Sequence, residues 1–104
     1  MPLRNGLEAM QKFALGQIVA TPAALDALQD AGQTLTDLLR RHCQSDWGDL
    51  NPVDKQSNEE ALEDGSRIFS AYILTTKVKL WIITEAQDDA GVRASTCILL
   101  PDEY

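Results

Sequence analysis

At Arg67 the spacing of apolar residues changes, and no other feature constrains the fold of this chain as much. Before it, apolar side chains recur at helical intervals: Leu25 with Leu28, then Leu35 with Leu38 and Leu39. After it come three short runs of strand-forming residues. The first holds Ile68, Phe69, Tyr72 and Ile73, the second covers residues 78–84, and the third covers residues 94–100 before Pro101 ends it. A helical half followed by a run of strands is the signature of an α+β domain.

Capping residues divide the helical half. Residues 16–20 read as a short N-terminal strand. Thr21-Pro22 then supplies a cap and a first helical position, and Gly32 a stop. A second helix starts at Thr34 or Thr36, with Arg40, Arg41 and His42 in its last turn, where the helix dipole favours positive charge. Asn51-Pro52 opens a third, mostly polar helix that runs through residues 59–64 and stops at Gly65. The expectation is therefore a short N-terminal strand, two to three short helices and a three-stranded antiparallel meander, all within residues 15–104. Residues 1–14 form an N-terminal arm, with Asn5 and Glu8 as cap and acceptor and Leu7, Met10 and Phe13 as an apolar stripe.

Leu80-Trp81-Ile82-Ile83 puts apolar groups on both faces of its strand, so that strand is central and Trp81 is structural. Two leucine-bearing helices can cover one face of the sheet. The other face needs the N-terminal arm, the acidic helix or a second subunit. A two-fold homodimer is the commonest closed solution.

The 104 residues carry sixteen acids against nine bases, a net −7. Residues 45–66 hold seven of those acids (Asp46, Asp49, Asp54, Glu59, Glu60, Glu63 and Asp64) against Lys55 alone. This balance argues against direct nucleic-acid binding, which relies on a basic face. It marks Asp54, Glu59, Glu60, Glu63 and Asp64 as an interaction surface for a basic protein partner, or as a mimic of a phosphate backbone. The longest apolar run has four residues, far from the ~20 of a membrane span, and the N-terminus lacks a signal-peptide core. A cytoplasmic chain with no membrane contact is expected.

Three residues are candidates for chemistry. His42, Asp46 and Asp49 could ligate a metal or form the acid–base cluster of a small hydrolase or nuclease, provided the second helix continues to Asp46 and stacks it one turn from His42. In the competing reading the two aspartates bond turn amides or Arg41, Trp47 plugs the core edge and Gly48 permits a positive φ. Cys43 neighbours His42, but adjacent helical side chains diverge by about 100° and make a poor nucleophile–base pair. Cys43 and Cys97 have no metal-ligand spacing, so a structural zinc site is not expected. The leading expectation for the chain includes no metal and no cofactor.

Taken in order, Arg40-Arg41-His42, Asp46-Trp47-Gly48-Asp49, Asn58, Arg67, Tyr72, Trp81-Ile82-Ile83-Thr84-Glu85 and Leu99-Leu100-Pro101-Asp102-Glu103-Tyr104 resemble a family of small bacterial plasmid-related proteins carried on plasmids and integrated mobile elements. The resemblance spans residues 16–104. The loop at residues 86–93 is longer than the Asp-Arg-Ser-type loop of many members. Some members bear the label type I restriction endonuclease subunit M. A DNA methyltransferase needs a glycine-rich cofactor turn and an Asn/Asp-Pro-Pro-aromatic motif. Here Asn51-Pro52 is followed by Val53 and Asp54, and no Gly-x-Gly occurs. The resemblance implies a mobile-element context and no mechanism. Small size, localised acidity and the absence of a convincing catalytic set point to a non-enzymatic accessory protein working through protein–protein contacts. An acidic DNA mimic or anti-defence inhibitor is the alternative. The element order also resembles the RelE-type ribonuclease toxins, but residues 67–104 offer four bases against five acids, a poor surface for RNA.

Overall fold

Each helix begins and ends where its caps dictate. In the computed structural model, which describes residues 11–104, Thr21 Oγ1 accepts the Ala24 N–H at the start of α1 (Pro22–Ala31). Thr34 does the same for Asp37 in α2 (Leu35–Cys43), and Asn51 for Asp54 in α3 (Pro52–Asp64). Gly32 and Gly65 follow α1 and α3 in the left-handed conformation. The strands are β1 (Gln17–Ala20), β2 (Ile68–Ile73), β3 (Lys79–Thr84) and β4 (Ser95–Leu99), and a 3-10 turn closes the chain at Pro101–Glu103. The domain is α+β.

The sheet order is β1-β4-β3-β2. The meander pairs β2 with β3 and β3 with β4 antiparallel, whereas β1 joins β4 parallel, so the four-stranded sheet is mixed. The register places Tyr72, Leu80, Ile82 and Ile98 on one face, where they pack with Ala24 and Leu28 of α1 and Leu38, Leu39 and Cys43 of α2. At one end of this layer Trp47, Ala61 and Ile68 form a second cluster that draws α3 against β2.

The opposite face carries Phe69, Ala71, Trp81, Ile83, Cys97 and Leu99, and among the described residues no α-helix packs on it. Its centre is shielded by aromatic side chains instead. Trp81 meets Phe69 edge-on at 4.9 Å and Tyr104 at 5.7 Å, and Arg67 donates to the Tyr104 hydroxyl. β3 is an interior strand, as the sequence predicts, but Trp81 is half-buried on the helix-free side rather than enclosed. Of the segments that the sequence offers as a cover, α3 sits at the β2 edge, and Phe13, the described member of the arm's stripe, packs on the helical side against His42 and Trp47. The rest of the predicted apolar stripe, Leu7 and Met10, lies outside the described residues.

Candidate functional site

His42, Asp46 and Asp49 end up in two separate environments, and the end of α2 is the reason. The Asp46 N–H donates to the Arg41 carbonyl at 2.9 Å and the Ser45 N–H to that of His42 at 3.2 Å. This is a Schellman turn, with Ser45 at φ 69° in the place usually held by glycine. The helix therefore stops before Asp46. His42 points inward to the sheet, and Asp46 folds back onto Arg41.

His42 is fully buried. Its Nδ1 contacts Ser70 Oγ, and its Nε2 lies 2.9 Å from Thr84 Oγ1. Thr84 Oγ1 lies 2.7 Å from Thr96 Oγ1, which donates to the Leu15 carbonyl at 2.7 Å. A carbonyl only accepts, and that fixes every other direction. Thr96 gives its proton to Leu15, so Thr84 donates to Thr96 and the His42 Nε2–H donates to Thr84. Nδ1 is then the acceptor, and Ser70 is its donor. Burial, reinforced by the positive charge of Arg93, lowers the imidazole to about 3, so the ring is neutral. A serine hydroxyl donating to a histidine is the contact of a nucleophile and its base. Here both residues are fully buried, and the chain of hydroxyls ends on a carbonyl. It joins α2, three strands and the segment before β1.

Asp46 and Asp49 line an open cleft of about 280 Å³ with Arg41, Gly48, Tyr72 and Ile73. Arg41 Nε and Nη2 reach the Asp46 carboxylate at 2.6 and 3.3 Å, and the guanidinium lies over the Tyr72 ring at 4.7 Å. The pairing holds the Asp46 carboxyl below its usual range and Arg41 above its own. Tyr72 donates to the Asp46 carbonyl at 2.8 Å, and burial raises its phenol. Asp49 faces Lys79 at 3.7 Å.

Gly48 explains why this segment lies where it does. At φ +72° it bridges to Ala71, so closely that an added Cβ would fall 2.0 Å from the Ala71 carbonyl oxygen. The Asp49 N–H donates to that same oxygen, and the Ala71 N–H donates to Trp47. Residues 46–49 thus clamp the outer edge of β2. Trp47 is buried, and its Nε1 donates to Glu59 at 2.7 Å.

The remaining acids project from α3. Asp54, Glu59, Glu60, Glu63 and Asp64 are all exposed, and none is in an ion pair among the described residues. Glu59 accepts from Trp47, and Asp64 caps the Ser66 N–H at 2.8 Å, which helps hold its carboxyl below the usual range.

Cys43 is buried, and burial pushes its thiol up to about 11; Cys97, on the helix-free face, is half-buried and also raised by burial. Among the described residues no group of three or more His, Cys, Asp or Glu side chains is placed to hold a metal ion, and no helix is long and apolar enough to cross a membrane.

Sequence reasoning gave no structural role to Arg93 or Asn58, on both of which the fold depends. Arg93 is 3% exposed and donates to the carbonyls of Ser66, Glu85 and Ala61 at 2.8, 2.9 and 3.1 Å. Asn58, on the buried side of α3, bonds both the N–H and the carbonyl of Phe69. An arginine beside a glycine-containing polar loop and an asparagine in a polar helix both read as solvent-facing, and only the long-range pairing reveals them. No family model matches this chain, and neither does any curated protein or solved structure.

Proposed function

We propose that this chain is an accessory protein of a bacterial mobile element that works through protein–protein contacts, with α3 as the surface met by a basic partner. The observation that carries the reading is the contrast within residues 45–66. Asp46 and Asp49 are matched by Arg41 and Lys79, while five carboxylates on α3 face solvent with only Lys55 among them. Such an unmatched patch steers and orients an oppositely charged partner more than it adds to stability. The buried His42 chain and the matched cleft give no comparable exposed reactive group.

The test compares capture of host proteins by the immobilised chain and by an E60K/E63K variant that keeps its circular dichroism spectrum. The wild type is expected to retain a basic protein that the variant releases, with the difference shrinking as salt rises. Identical capture by both chains overturns the reading. If the retained protein binds DNA and DNA displaces it from the chain, the acids act as a phosphate mimic.

A further inference from the structure

The two edges of the sheet are finished differently. On β2 the outward backbone groups of Phe69 are taken by Asn58, and those of Ala71 by Trp47 and Asp49. On β1 the Gln17 and Thr21 N–H groups donate to the Ala94 and Ile98 carbonyls at 3.0 Å each. Backbone groups alternate sides along such a ladder, so Ile18 and Ala20 turn their N–H and C=O groups away from β4. No hydrogen bond to a described residue takes them up. Ile18 and Val19, which point to opposite faces, are 43% and 45% exposed. The strand has no charge, proline or bulge to deter pairing.

Charge singles out the same side of the molecule. Residues 13–25 contain no Asp, Glu, Lys or Arg, and neither do residues 94–101. These stretches include β1 and its neighbour β4. Two copies of a chain with net charge −7 repel one another, and β1 itself sets no like charges against each other in such a pair, although Glu85 and Glu103 are near enough to act on Cys97 of β4. Glu103 is engaged by the Thr21 hydroxyl and the Leu100 N–H.

We propose that β1 pairs antiparallel with β1 of a second copy, about a two-fold axis at Val19, joining two four-stranded sheets into one of eight strands. In this register Ile18 lies opposite the partner's Ala20 and Ala20 opposite the partner's Ile18, so every outward group of both residues is bonded. Val19 faces the partner's Val19 in a non-hydrogen-bonded pair, with Cα atoms about 4.5 Å apart. That spacing lies within the range a disulfide spans. The interface does not involve α3, so it stands or falls apart from the function proposed above.

The experiment places a cysteine on the axis. Val19→Cys is made in a Cys97→Ser background, because Cys97 is the in-register neighbour of Val19 on β4 and would compete for it. Mild oxidation is expected to give a covalent dimer at least tenfold faster than Ile73→Cys in the same background, a comparably exposed site on the far strand. In sedimentation at micromolar concentration the wild type and E60K/E63K are expected at twice the chain mass. Val19→Lys, which sets two ammonium groups across the axis, is expected at one chain mass with an unchanged circular dichroism spectrum. A wild type that sediments as one chain overturns the proposal. So does cross-linking of Val19→Cys no faster than of Ile73→Cys. If the wild type is single and deletion of residues 1–12 makes it double, the edge is covered by the chain's own N-terminus and the proposal fails as well.

Discussion

A neutral histidine that donates at one nitrogen and accepts at the other suits a buried polar slot only while it stays neutral. His42 ordinarily titrates near 6.5 and is lowered by burial to about 3 in the folded chain. The unfolded chain therefore takes up a proton at a pH where the folded one does not, and stability rises with pH across that interval. The contribution is complete above 6.5 and is lost as pH falls from 6.5 toward 3. At about 1.4 kcal/mol per pKa unit it amounts to roughly 4–5 kcal/mol. Urea denaturation at a series of pH values should show this slope in the wild type and not in His42→Leu. At neutral pH the variant should lose ~2–3 kcal/mol, because Ser70 and Thr84 are left without their partner. A wild-type slope no steeper than that of the variant would show that His42 does not carry it. Ser45 allows a prediction of the opposite sign. It holds a positive φ, and its hydroxyl is buried without a hydrogen-bond partner among the described residues. Ser45→Gly removes both penalties and should raise stability by about 1 kcal/mol, read as a higher thermal midpoint.

At the scale of elements, the protected β2 edge rests on one asparagine and one tight clamp. Asn58→Ala frees the N–H and C=O of Phe69 and should cost about 2 kcal/mol. It should also bring concentration-dependent aggregation, measured by light scattering on heating, because the freed edge can pair with other chains. Local signals made the helices readable from the sequence: Thr21-Pro22 and Asn51-Pro52 mark starts, and Gly32 and Gly65 mark ends within a few residues of where they act. The change of period at Arg67 likewise exposed the meander. The candidate site was legible only in part. The sequence fits Asp46 both as a partner of His42 and as a partner of Arg41, and the choice hinges on whether α2 continues past residue 44. Ser45 conceals the stop, since serine is not the residue expected in a left-handed position. Ser70, Thr84 and Thr96 look like solvent-facing strand residues until the fold brings a histidine from 28 positions before Ser70 to meet them. The parallel pairing of β1 with β4 joins segments almost eighty residues apart, and nothing local announces it.

Across the whole molecule the sheet separates two kinds of packing, an aliphatic layer under α1 and α2 and a half-buried aromatic patch on the other face. Trp81 belongs to the second, so Trp81→Ala should cost about 2 kcal/mol, less than the ~3–5 of an enclosed tryptophan. A chemical denaturation curve checks this, and a loss at the upper value would mean that something further covers the face. The chain of hydroxyls through His42 crosses the first layer from α2 to the segment before β1, so it survives only while helix, sheet and N-terminal approach stay docked together. Its imidazole N–H is shut away from water, and the protein has a single histidine. One ring-proton resonance, slow to exchange with solvent and shifted by its bond to Thr84, therefore reports in a one-dimensional NMR spectrum whether the molecule is folded. Because every link must hold for that signal to persist, its rate of hydrogen exchange should match the rate expected from global unfolding rather than from fraying of any one element.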